Sequence, residues 1–206
     1  MRKIHRLLSS CRRGYFKYLY LCTLNHKIRK IRRKETIRVL FAVAESATWK
    51  NDSLYRAMLM HPGFTPLILV LPDEQKEESL KWEGVDTCFD FFRNKGYTCS
   101  YPYENGKLIN IRKALNPDII FYQKPYTYYP ESFLYRRNLN ALFCYTNYAF
   151  HSLLADWANK NDFFQLVWQN YYENESGFTD LKRKYPEAAS NIVVTCLLYT
   201  SDAADE

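Results

Sequence analysis

Hydrophobic positions along the chain fall into short unbroken runs separated by amphipathic stretches. Residues 37–44 (IRVLFAVA) are nearly all apolar between polar neighbours, the pattern of a strand buried on both faces. Residues 65–71 (TPLILVL), ended by Pro72 and Asp73, predict a second such strand. Residues 118–123 (DIIFYQ) and 141–146 (ALFCYT) predict two more, separated by the stretch around 131–138, and 191–195 open another. Residues 97–101 read as a weaker, outer strand. Helices are expected over 52–60, 109–115, 163–172 and 180–185. A longer one over 74–95 is charged on one side, carries Leu80, Val85, Phe89 and Phe92 on the other, and is stopped by Gly96. Strands alternating with helices imply right-handed crossovers and a parallel sheet. The expected architecture is α/β: a Rossmann-like, mainly parallel sheet with helices on both faces.

A different pattern precedes the first strand. Ile4, Leu8, Cys11, Tyr15, Tyr18 and Cys22 recur every three to four residues, with Arg2, Lys3, Arg6, Arg12, Arg13 and Lys17 between them. That is a basic amphipathic helix. A second basic cluster follows at Lys27, Arg29, Lys30, Arg32, Arg33 and Lys34. Charge sharpens the division. The chain has a net charge of +7, but residues 1–34 hold twelve of the 29 Lys/Arg and no acid, whereas residues 35–206 hold all 22 acids and carry −5. The functional reading of the arm is docking on an anionic membrane surface, where each basic residue contributes ~1 kcal/mol. Its rivals are a nucleic-acid arm and a solvated linker helix; the acidic body disfavours nucleic acid as a partner. A signal peptide fits poorly, because YLYLCTL is short and no small-residue cleavage site follows it.

With 206 residues and 47% hydrophobic content, the chain suffices for one ordinary domain, not a disordered tail, a collagen-like fibre or a disulfide mini-protein. No apolar run approaches the ~20 residues of a transmembrane helix. The expected location is cytoplasmic, peripheral on the inner face of the membrane. The final eleven residues, CLLYTSDAADE, resemble a translated transposon-end adaptor from sequencing libraries. On that reading residues 196–206 stand apart, and the protein continues beyond about Thr195. The organisation expected is therefore a basic arm (1–34), a Rossmann-like domain (35–195) and an adaptor-derived tail (196–206). Without Cys196 the cysteines are five in number and include no CxxC. Buried thiols in a reducing compartment, with no metal, are expected.

In parallel α/β sheets, ligands bind beyond the carboxyl ends of the strands. That rule alone selects residues 45–51 (ESATWKN), 124–126 (KPY) and 147–151 (NYAFH). These loops are rich in rings and hydrogen-bonding groups and poor in glycine, a chemistry suited to sugars and polyols. Ser46, Trp49, Lys50, Lys124, Tyr126, Asn147 and Tyr148 are the candidate acceptor-binding residues. Trp49 and Tyr126 read either as stacking platforms or as core packing. Glu45 either orients or deprotonates a hydroxyl, or caps the following helix. No GxGxxG or GxxxxGK[ST] occurs, which argues against a dinucleotide dehydrogenase or P-loop enzyme.

The segments ESATWKNDSLYRAM, PDIIFYQKPY, LFCYTNYAFH, FFQLVWQNYYENES and NIVVT, taken in order, are similar to those of the CDP-glycerol glycerophosphotransferase-like proteins of capsule and surface-polysaccharide synthesis. The resemblance covers about residues 36–195. It implies the acceptor-side domain of a two-domain GT-B transferase that moves glycerol phosphate or a sugar to a glycan or lipid-linked acceptor. The nucleotide-activated donor, CDP-glycerol or a nucleotide sugar, is then expected on the second domain, with no cofactor in this one. The family's polymerases place a His-Gly pair after a strand of the first domain, the His acting as base. The matching position is His151, followed here by Ser152 in place of glycine. A His at a strand's carboxyl end is chemically able to accept an alcohol proton near neutral pH; a structural loop His is the other reading. The alternative from another class is a non-catalytic flavodoxin-like or receiver-like binding module. Against it, Glu45 lacks the second acid of a receiver, and the first loop lacks the glycines and threonines of a flavin-phosphate site.

Overall fold

The computed structural model describes residues 2–124, 128–146, 162–172, 175–184 and 190–195. Helix α1 (Arg2–Ile31) leads into strand β1 (Ile37–Val43), helix α2 (Asp52–Met60), strand β2 (Phe64–Val70) and helix α3 (Glu78–Asn94). The edge strand β3 (Cys99–Ser100) and a hairpin of β4 (Tyr103–Glu104) and β5 (Lys107–Leu108) follow. After a π-helical turn (Ile111–Leu115) come β6 (Ile119–Tyr122), two 3₁₀ turns (Glu131–Phe133 and Tyr135–Arg137) and β7 (Leu142–Thr146). Helix α4 (Asp162–Leu166), β8 (Gln169–Tyr172), helix α5 (Glu175–Lys184) and β9 (Ile192–Val194) complete the described elements.

Seven strands form one sheet in the order β3-β2-β1-β6-β7-β8-β9, and every pairing in it is parallel. Renumbered within the sheet, that order is the 3-2-1-4-5-6 of dinucleotide-type Rossmann folds extended by one strand, not the 2-1-3-4-5 of flavodoxins and receivers. The expected α/β architecture is therefore present. The strand order switches sides between β1 and β6, so this pair defines the crevice at the carboxyl ends.

Alternation along the central strands divides the interior into two cores. Leu40, Ala42, Ile120, Tyr122, Phe143 and Tyr145 face one, which Phe133, Tyr135 and Phe163 close. Val39, Phe41, Val43, Ile119, Phe121 and Cys144 face the other, where Tyr55 from α2 and Val85, Cys88 and Phe92 from α3 lie over them. Of the thiols expected to be buried, Cys88 and Cys144 are, burial pushing Cys88 up to about 12, whereas Cys22 is exposed and Cys99 half-buried.

Three elements depart from the sequence expectation. The helix expected over 163–172 stops at Leu166, and Gln169–Tyr172 becomes β8, filling the slot between β7 and β9. Its pattern alternates half-buried with buried, a two-residue period set by pairing on both sides. The β4–β5 hairpin turns on Asn105 and Gly106, whose φ values of 51 and 77 suit an Asn-Gly turn. Helix α3 begins at Glu78 instead of residue 74, because Asp73 first accepts from the Gln75 and Lys76 amides and holds a turn.

Helix α1 forms over the expected length, but it is not an arm apart from the body. Tyr20 is 1% exposed and stacks on Phe143, with ring centroids 5.0 Å apart. Its hydroxyl accepts the Phe143 backbone N–H at 3.2 Å. Ile31 is buried, Leu24 and Ile28 pack on the cores, and Lys34 pairs with Asp118 at 2.5 Å. Residue 34 therefore does not separate two packing units. Of the basic cluster, Lys27 is drawn inward: its ammonium sits 3.9 Å from the centroid of the Tyr20 ring with no hydrogen-bond partner, and burial lowers its pKa to about 8.

Candidate functional site

Three loops meet at the carboxyl side of the β1–β6 switch point. Glu45 follows β1, Lys76 follows β2 and Lys124 follows β6. Lys124 Nζ donates to Glu45 Oε2 at 2.7 Å, and Lys76 Nζ lies 3.7 Å from Glu45 Oε1. The backbone supports the same convergence. Gln123 N donates to the Ala42 carbonyl, Leu71 N to the Val43 carbonyl, and Glu74 N to the Tyr128 carbonyl. Hydrogen bonding from Lys124, and then the nearby charge of both lysines, holds the Glu45 carboxyl below the ordinary carboxylate range against the opposing effect of burial. Glu45 is thus a carboxylate at neutral pH, fixed in direction and one-third exposed.

The same two segments, after β1 and after β6, carry two buried amides. Gln123 is 3% exposed, and among the described residues neither its Oε1 nor its Nε2 has a hydrogen-bond partner. Asn51, which opens α2, is 4% exposed; its carbonyl accepts the Tyr55 amide, but its Oδ1 has no partner among them. A buried polar group left unpaired costs roughly 1–3 kcal/mol. Both groups lie at the carboxyl end of the central strands, on the segments that follow β1 and β6.

The candidates named from the sequence are sorted by this geometry. Glu45 and Lys124 are brought together. Ser46 and Lys50 share the loop, in and just beyond the 3₁₀ turn Ser46–Thr48. Glu45 makes no side-chain cap there, so the capping role is not what places it. Trp49 turns into the interior. Its indole is ringed edge-on by Phe41, Phe92, Tyr97 and Tyr55, and its Nε1 donates to the Tyr97 hydroxyl at 3.3 Å. Tyr97 in turn donates to Asp52. Trp49 therefore packs the core and is not a stacking platform; the apolar positions of α2 and α3 leave a ring-sized space that it fills. Tyr126, Asn147, Tyr148 and His151 lie outside the described residues.

Gln123, Asn51 and Lys76 were not singled out by sequence reasoning. Gln123 carried a readable signal, a polar amide ending an otherwise apolar buried run. Lys76 carried none, since only folding brings the β2 loop to Glu45. Among the described residues no cluster of His, Cys, Asp and Glu suits a metal ion, and no helix is long and apolar enough to cross a membrane. Compared with known proteins, the chain matches no family model, no curated protein and no solved structure.

Proposed function

We propose that the chain is the acceptor-side domain of a transferase that moves glycerol phosphate or a sugar from a nucleotide-activated donor to a surface-glycan precursor. The observation that carries this reading is the buried Gln123 carboxamide, without a partner among the described residues, at the end of β6 and one residue before the Lys124 that pairs with Glu45. A carboxamide offers one acceptor and two donors, which matches neighbouring hydroxyls of a polyol. Glu45, kept ionised by Lys124, accepts a hydrogen bond from the hydroxyl to be transferred to and orients its lone pair. His151 takes the proton in this scheme, a role it holds only through the family resemblance. The donor is bound by the second domain that the same resemblance implies. The enzyme works as a peripheral protein on the inner face of a membrane.

The test is acceptor binding and turnover. Titration calorimetry with glycerol 3-phosphate should register heat with the wild-type chain, and Gln123→Leu should weaken the affinity by more than about tenfold, the worth of a lost buried hydrogen bond. Glu45→Gln should bind within a few-fold of wild type but fail in transfer once the second domain is supplied. Binding unchanged in Gln123→Leu rejects the site. Binding without transfer by the two-domain protein rejects the enzyme and leaves a binding module.

A further inference from the structure

Helix α1 carries two stripes, and among the described residues the core contacts come from one of them. Tyr20, Leu24, Ile28 and Ile31 form the inward stripe described above. The stripe that the sequence makes conspicuous is a different one. Tyr15, Tyr18 and Cys22 lie on it, Arg29 continues it at helical spacing, and Arg32 and Arg33 follow in the turn after α1. Tyr15 is 60% exposed and Tyr18 67% exposed, with Leu19 and Leu21 exposed on the flanks. Arg29, Lys30, Arg32 and Arg33 are exposed as well, and none of their side chains has an ion-pair partner among the described residues.

We infer that this outer face of α1 docks on an anionic lipid surface, with Tyr15, Tyr18 and Leu21 at headgroup depth and Arg29, Lys30, Arg32 and Arg33 on the lipid phosphates. The inference gives the peripheral placement proposed above a specific surface; it does not depend on the transfer chemistry. Two arguments select lipid. First, charge is complementary and undiluted: residues 1–34 contain no acid. Second, the exposed rings and Arg29 share one face of α1, and Lys30, Arg32 and Arg33 gather the charge at its end, the arrangement of an interfacial helix whose rings sit among headgroups. The inward stripe holds the helix to the body, so the whole protein is carried to the surface. Lys27 and Lys34 are excluded from the docking set, because one lies over Tyr20 and the other is paired with Asp118.

Co-sedimentation of the full chain with phosphatidylcholine vesicles, with and without roughly a third phosphatidylglycerol, tests the assignment. Each basic side chain near an anionic leaflet is worth about a fivefold gain in partitioning. Wild type should partition more than about tenfold better to the anionic vesicles, and high salt should abolish the difference. The R29A/K30A/R32A/R33A variant should lose more than about tenfold, and Y18S/L21S should lose several-fold. These positions are exposed, so melting temperatures should stay near wild type; the inward variant Tyr20→Phe should keep full vesicle binding if it is folded. Equal partitioning to neutral vesicles, or retention by both outer-face variants, overturns the inference. So does tighter, salt-sensitive retention on duplex DNA than on anionic vesicles. Glycerol 3-phosphate titration of the same variants separates the two proposals, since loss of vesicle binding with intact acceptor binding rejects only the docking face.

Discussion

The two ends of the central strands β1, β6 and β7 are built to different rules. At their amino ends the prominent polar groups Asp118 and the Phe143 amide are answered within the chain, although Asn170 Oδ1 and Asn191 Oδ1, at the starts of the outer strands β8 and β9, are not. Asp118 accepts from Lys34 at 2.5 Å through one oxygen and from the Arg38 amide at 3.0 Å through the other. The Phe143 amide, near the start of β7, is taken by the Tyr20 hydroxyl. At the carboxyl end, Gln123 and Asn51 are as deeply buried as those groups but keep unpaired atoms, and Glu45 is shared between two lysines. An end that satisfies itself contributes to stability. An end that leaves buried amides unpaired gives up stability, and such a sacrifice is characteristic of binding sites.

That contrast is open to direct attack. The largest effect is expected at the amino end, where Asp118→Ala strands both Lys34 and the Arg38 amide. Its loss should be about 3 kcal/mol by denaturant unfolding, with acceptor affinity unchanged. Tyr20→Phe keeps the ring on Phe143 but removes the acceptor from a buried amide. A loss of about 2 kcal/mol is expected, with faster hydrogen exchange at Phe143 as its signature. At the carboxyl end the sign should reverse. Gln123→Leu replaces an unpaired amide by an apolar group of similar size and should stabilise the chain by about 1 kcal/mol while weakening acceptor binding by more than about tenfold. A destabilised Gln123→Leu would mean that this end, too, is satisfied from within, and the comparison would fail.

The smallest effect belongs to Glu45. Its folded pKa lies below its unfolded value, so its contribution is present above the unfolded value and is lost as pH falls through the folded one. Because the pair is partly exposed, the contribution is at most about 1 kcal/mol. Glu45→Gln should therefore lower the melting temperature slightly at pH 7 and leave it unchanged at pH 2, and the difference between the two curves should open as the pH rises across the carboxylate range.

The strands at the centre of the sheet were legible because parallel strands covered on both faces must be apolar along their whole length, as residues 37–43, 119–122 and 142–146 are. Helices α2 and α3 were legible through their one-sided patterns. Strand β8 was not, because Gln169–Tyr172 mixes polar and aromatic residues and acquires its period only from the neighbours it pairs with. The Asn105–Gly106 hairpin carried a local signal that went unread. The rule that ligands bind at the carboxyl ends of parallel strands selected the segments of Glu45 and Lys124, which the structure pairs, since it needs only strand ends.

Sequence by itself determined the α/β class, the segments that supply the crevice and the separation of charge between residues 1–34 and the rest. All three are properties of runs along the chain, where local periodicity and composition suffice. Tertiary structure decided which side chains of those segments meet. It sent Trp49 inward, brought Lys76 to Glu45, and left Gln123 buried without a partner among the described residues. It also decided which stripe of α1 packs, choosing Tyr20, Leu24, Ile28 and Ile31 over the more regular stripe through Tyr15, Tyr18 and Cys22. A helix with two apolar stripes has no local reason to prefer either one. The choice is made by the partner that fits, here Phe143 under Tyr20 and Asp118 within reach of Lys34.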